Sequence, residues 1–146
     1  MMNKCMFSYE EPFRLRHRDG LSYFEVPFLE ETGLVSALYS TKLGGVSQGS
    51  CAQTNLSVFM GDDPDHVRRN LKAYGDLAGL DMANAFNTRQ VHDVRILSTQ
   101  DHPHIKGVLD PDELPSADGL ISAARGHVLL KYSAGCALIY VLDPKT

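Results

Sequence analysis

His92 and Cys136 are the two residues with the most chemistry to offer. His92 closes the run Asn87-Thr88-Arg89-Gln90-Val91-His92, and Cys136 follows 44 positions later. An imidazole nitrogen and a thiolate sulfur are ligands for a borderline metal ion such as zinc, or for copper. The same two groups could act as base and nucleophile. Either role requires the side chains to meet. The simpler reading is a buried structural cysteine and an unrelated surface histidine, because two such residues form no signature by themselves.

The elements that must bring them together are strand ends. Cys136 opens Cys136-Ala137-Leu138-Ile139-Tyr140-Val141-Leu142, a run apolar throughout and expected as a strand buried on both faces. His92 precedes the alternation Val94, Ile96 inside a strand expected over residues 85–97. Further strands are expected at 21–29, near a sheet edge because of Pro27, at 34–39, at 117–122 and at 126–132. Asp118 stands at the entrance of one of them, either as a turn cap or as part of a site. Residues 99–118 are polar and proline-rich and predict a long surface loop, with His102 and His104 solvated on it.

Ser40 to Ser50 contains Gly44, Gly45 and Gly49 among hydroxyl residues and reads as a loop. It is neither a Walker loop nor a Gly-x-Gly-x-x-Gly fingerprint. Its backbone amides could receive an anion, or it is a plain glycine turn. Gly61-Asp62-Asp63-Pro64 predicts a helix start, with an acidic N-cap and proline in the first turn. Val67, Leu71, Tyr74 and Ala78 then form one apolar stripe, Arg68, Arg69 and Lys72 a solvated face, and Gly79 the stop. Strands outnumber helices, which gives an α+β fold or a mixed α/β sandwich.

Composition narrows the function. The chain has 146 residues, 43% hydrophobic and 22% charged, enough for a globular core. A net charge of −4 leaves no electrostatic footprint for nucleic acid. No apolar run approaches the ~20 residues of a membrane span. The start, Met1 to Met6, is followed by no apolar segment, so no signal peptide is expected, and residues 1–20 read as a lead-in with one short strand. Three scattered cysteines fit reduced thiols in a cytoplasmic protein.

Thr41-x-x-Gly44-Gly45-Val46-Ser47, Asn55-Leu56-Ser57, Gly61-Asp62-Asp63-Pro64 with Val67 and Asn70, Gln90-Val91-His92, Ala117-Asp118-Gly119-Leu120, and Cys136 with Asp143-Pro144 occur in this order. Together they resemble the YfiH-like laccase-domain family, once called multicopper polyphenol oxidases. The resemblance runs from about residue 34 to the chain end. It implies a layered α/β/β/α sandwich with a mixed sheet, and a single, partial domain over 1–146 whose C-terminal part is missing.

The resemblance also implies a mononuclear metal site. Carried over, His92 and Cys136 are two of its ligands and the catalytic pair. The family's remaining ligand is a second histidine in a His-Ala-Gly-Trp-Arg-Gly motif downstream of the cysteine, and this sequence ends ten residues after Cys136. Gly135 stands where the family has Asp before the Cys, Leu71 where Arg follows the helix Asn, and Lys42 where Arg is common. The Leu71 difference removes a group that could bind phosphate through paired hydrogen bonds.

The activity implied is zinc-dependent phosphorolysis of purine nucleosides (adenosine, inosine, guanosine, methylthioadenosine), with adenosine deamination. Its small-molecule partners are the nucleoside and phosphate, and Gly45, Ser47, Asn55 and Gln90 are the substrate-binding candidates. One alternative is copper-dependent polyphenol oxidation at the same residues. Another is a non-catalytic fragment or interaction module. The donor set would suit zinc or copper and favours neither outright, though one copper is poorly equipped for four-electron reduction of oxygen, which weakens the oxidase reading.

Overall fold

The computed structural model describes residues 12–107 and 109–145. The lead-in over residues 1–11 lies outside them.

Strands β1 (Arg14–Arg18) and β2 (Leu21–Glu25) form an antiparallel hairpin in which Arg18 pairs with Leu21. The two-residue turn is Asp19-Gly20, with φ of 51° and 79°. Positive φ at both positions is the turn whose twist suits a hairpin, and Asp-Gly is a preferred pair for it. Strand β3 (Leu38–Ser40) pairs antiparallel with β2, so the sheet order is β1-β2-β3.

The strand expected at 21–29 is therefore central and shorter. It stops because Pro27 begins a one-turn helix, α1 (Pro27–Glu30), whose first turn proline suits. The strand expected at 34–39 starts late for a related reason. The Glu30 carboxylate accepts from Ala37 N–H at 2.7 Å and from Ser36 Oγ at 3.3 Å, so side-chain bonds replace the ladder there.

Helix α2 (Pro64–Ala78) follows the sequence expectation at both ends. The Asp63 side chain accepts from Asp65 N, and Gly79 takes the left-handed conformation at φ 66°. Val67, Leu71 and Tyr74 are buried on one face, with Leu77 beside them. Leu21, Tyr23, Tyr74 and Leu77 make a core between α2 and β2. The Tyr74 hydroxyl donates to Ser22 O at 3.0 Å and fixes the helix across the sheet.

The second half contains two small parallel pairs. Strand β4 (Ala85–Phe86) pairs with β7 (Val128–Leu129), and β5 (Ile96–Ser98) pairs with β6 (Gly119–Ile121). The continuous strand expected over 85–97 is broken. After β4 the chain runs beside 115–117, with Arg89 N donating to Pro115 O and Ala117 N to Arg89 O, both at 2.9 Å. It then loops out over 90–94 and returns as β5. Val94 and Ile96 are exposed at 91% and 65%, while Leu97 faces the core.

The 99–118 segment also differs from a purely surface loop. It buries Ile105, Leu114 and Ala117 at 6% exposure or less, around a 3-10 turn at Pro103–Ile105. His104 is exposed and His102 half-buried.

The largest departure is at 136–142, where no strand forms. Ile139 and Val141 are 83% and 89% exposed, whereas Leu138, Tyr140 and Leu142 are half-buried. The alternation is that of an extended chain with one covered face. Tyr140 anchors that face, its hydroxyl donating to Leu38 O at 3.3 Å. Burial on both faces needs a layer on each side, and among the described residues only one side has one. The architecture is α+β: an antiparallel sheet against α2, and two short parallel ladders beyond it.

Candidate functional site

The Asp118 carboxylate caps the loop-out at 90–94. One carboxylate oxygen of Asp118 accepts from Val91 N at 3.3 Å and His92 N at 2.8 Å, and the other accepts from Asp93 N at 3.0 Å. Asp118 sits where the chain passes from the ladder beside Arg89 to β6, so it meets the returning segment at the point where pairing is interrupted. Three converging amides keep its pKa below the ordinary carboxylate value. The bond from Asp93 contributes most and those from His92 and Val91 add to it, while desolvation opposes them and Lys131 contributes favourably.

Within this grip His92 adopts φ 59°, a left-handed conformation uncommon for a non-glycine residue. The turn directs the ring away from the ladder. His92 Nδ1 lies 3.8 Å from Cys136 Sγ, across 44 residues of sequence. Cys136 ends the turn Ser133-Ala134-Gly135, which the Ser133 hydroxyl closes by donating to Cys136 O. Both side chains are exposed, so their donor atoms are open to a ligand.

Two zinc bonds of ~2.0–2.3 Å at a tetrahedral angle put nitrogen and sulfur about 3.6 Å apart. The observed 3.8 Å therefore fits one shared ion. Among the described residues, no group of three or more His, Cys, Asp or Glu is arranged to hold a metal. Asp118 is taken up by its amides, and the His102 and His104 rings meet edge to face, with centroids 5.7 Å apart.

Lys131 supports Asp118 from behind. Its Nζ donates to Thr88 Oγ1 at 2.8 Å and to Ala117 O at 3.0 Å, fixing the carbonyl just before Asp118. Burial lowers its pKa and the charge of Asp118 opposes that shift. Tyr132, next in sequence, is held neutral by burial and accepts from Asn87 Nδ2 at 3.5 Å.

The other candidates form a separate network between the glycine loop and α2. Ser47 Oγ donates to Asp62 Oδ2 at 2.7 Å, and Asn55 Nδ2 donates to the same oxygen at 3.1 Å. Asn70, 1% exposed, accepts from Val46 N and donates to Ser47 Oγ and Asn55 O, each at 2.9 Å. Gly45 is required by close approach, since a Cβ there would stand 2.3 Å from Gln53 O. A shallow groove of about 380 Å³ opens beside Gly44, Gly45, Arg69 and Lys72. It does not include His92 or Cys136. Gln90 is half-buried, two residues before His92.

His92, Cys136, the glycine loop and Asp118 were legible in the sequence as site candidates, Asp118 with a turn cap as its alternative, whereas Lys131 was not. Asp118 before Gly119 has the pattern of an ordinary turn cap, and its partners lie 25–27 residues away. Lys131 is one charge in an apolar run. Neither has a local signal that separates it from its bland reading. Asn70 was visible only as part of a motif.

Residues 36–146 match the family described as multi-copper polyphenol oxidoreductase laccase. A purine nucleoside phosphorylase of Streptomyces griseus is 31% identical over 77% of this chain and 44% of its own length. One from Corynebacterium glutamicum is 28% identical over 75% of this chain and 42% of its own. The crystal structure of the Bacillus licheniformis hypothetical protein YfiH superposes with a TM-score of 0.69 at 27% identity, covering 82% of this chain and 43% of that one. The chain spans less than half the length of these relatives. The match takes in the glycine loop, α2, the His92 turn and Cys136, and by it the chain belongs to the laccase family of multi-copper polyphenol oxidoreductases.

Proposed function

We propose that His92 and Cys136 are two ligands of a zinc site, and that the chain contributes this site to phosphorolysis of purine nucleosides with accompanying adenosine deamination. The observation behind this reading is the 3.8 Å approach of Nδ1 and Sγ from residues 44 apart. The phosphorylase names of the relatives in Streptomyces and Corynebacterium support the substrate class. Zinc bound there would supply a Lewis acid and a water acidic enough to ionise near neutral pH. His92 and Cys136 would hold the ion, and Asp118 would keep the His92 turn in place. Gln90, two residues before His92 in the sequence, is assigned to the substrate edge. Ser47 and Asn55 spend their side-chain polar atoms on Asp62, Ser57 and Asn70, so their part is to hold the glycine loop, with Gly45 giving the backbone room to fold close. The whole reading treats residues 1–146 as one partial domain in a cytoplasmic setting.

Two protein ligands leave a zinc ion loosely held, since catalytic zinc sites use three. The expected result is partial or negligible zinc in the purified 146-residue chain and adenosine turnover near background. Fusing the segment of a relative that contains the His-Ala-Gly-Trp-Arg-Gly motif should raise both. Stoichiometric zinc and full turnover without that segment would show that another residue completes the site. Copper uptake with oxidation of phenols, and no release of purine base or inosine, would favour the oxidase reading instead.

A further inference from the structure

We propose that Asp118 is a positioning residue that sets the distance between His92 and Cys136. The inference rests on the reading of that pair as a metal centre, and it extends it to a residue that touches neither donor atom.

Asp118 acts on the backbone alone. Its two oxygens gather the amides of Val91, His92 and Asp93 at 3.3, 2.8 and 3.0 Å. No strand pairing holds these residues, because the ladder beside Arg89 has ended and β5 has not begun. The φ of 59° at His92 costs energy for a residue with a Cβ, and it persists only where surrounding bonds enforce it. Without the carboxylate, residues 90–94 would relax toward negative φ and swing the imidazole away from Cys136. An ionised carboxylate suits this task because both oxygens only accept, so three amides can converge on one side chain. Asn offers one accepting oxygen and turns a donating NH₂ toward the remaining amide. The anchor is itself anchored: Lys131 Nζ grips Ala117 O at 3.0 Å, and Asp118 N donates to Arg95 O at 2.9 Å. The grip therefore joins both edges of the loop-out.

The test compares the wild-type chain with Asp118→Asn, Asp118→Glu, His92→Ala and Cys136→Ser. Two readouts are used, neither of them catalytic. The first is the nuclear Overhauser effect between His92 ring protons and Cys136 β-protons in the metal-free chain. The second is the sulfur-to-cobalt charge-transfer band during titration with Co²⁺. The wild type should show the proton contact, and Asp118→Asn should lose it while amides in α2 stay protected from exchange. Cobalt affinity should fall at least tenfold in Asp118→Asn, recover in part in Asp118→Glu, and vanish in His92→Ala and Cys136→Ser. A proton contact and cobalt affinity unchanged in both Asp118 variants would overturn the positioning role. Absence of the contact in the wild type would overturn the pairing of His92 with Cys136. A contact that responds to Asp118 in a chain that takes up no cobalt even when fused to the segment with the His-Ala-Gly-Trp-Arg-Gly motif would keep the positioning role and overturn the metal reading, so the two failures are distinguishable.

Discussion

Two polar clusters in this molecule are built in opposite ways. Between the glycine loop and α2, Ser47 and Asn55 both donate to Asp62, Asn70 donates to Ser47 Oγ and Asn55 O, and these polar atoms are spent inside the protein. Around Asp118 the bonds are spent on backbone amides, and the His92 and Cys136 donor atoms are left exposed. A satisfied buried network fixes a loop to a helix and stabilises the fold. A held backbone with open side chains does little for stability and leaves lone pairs for a ligand. Both clusters lie within residues 36–146, which match the family, so membership alone does not say which does chemistry.

The largest effects should follow from breaking the first cluster. Leu71, buried beside Asn70 in the sequence of α2 at 4% exposure, should cost ~2–5 kcal/mol on truncation to Ala, read as the shift of a denaturant midpoint. Asn70→Ala should cost about as much, because it leaves the Val46 amide and the Asn55 carbonyl without partners, at ~1–3 kcal/mol for each buried group. A loss below ~0.5 kcal/mol in Asn70→Ala would mean that the glycine loop is not fastened to α2 as described, and one in Leu71→Ala that Leu71 is not packed in the core.

A smaller effect concerns acid. The Asp62 pKa is lowered, first by the hydrogen bond from Ser47, against desolvation, and then by Asn55, the Asp63 amide and His66. A group lowered in the folded state contributes stability that is whole above its unfolded value, about 4 for Asp, and is lost as pH falls through the folded value. Asp62→Asn should therefore lower the melting temperature at neutral pH, with the gap to wild type narrowing as the pH drops below about 4. A gap constant from pH 7 to pH 3 would remove the charge of Asp62 from the account.

The smallest change in stability should come from the second cluster. His92→Ala and Cys136→Ser should each alter unfolding free energy by less than ~0.5 kcal/mol, since both side chains are exposed. Metal uptake should nevertheless be lost in both. If either substitution destabilised the chain as much as Leu71→Ala, the contrast between the clusters would collapse and the pair would be structural.

Local signals settled part of this protein. The limits and buried face of α2 were legible because an N-cap, a first-turn proline, a helical apolar period and a C′ glycine all act within a few residues of one another. The family was legible because six short motifs kept their order. Pairing partners and layers were not, because they depend on residues far apart in sequence. Residues 137–142 are apolar enough for a strand with two buried faces, yet Ile139 and Val141 stand exposed for want of a covering layer among the described residues. The 85–97 segment has the composition of one strand, and Asp118, more than twenty positions on, breaks it into two ladders and a turn. His92 and Cys136 could be named from the sequence as residues able to bind a metal. Their approach to 3.8 Å was decided by that long-range grip, since only tertiary contacts can hold a histidine at positive φ and aim its ring at a thiol 44 residues away.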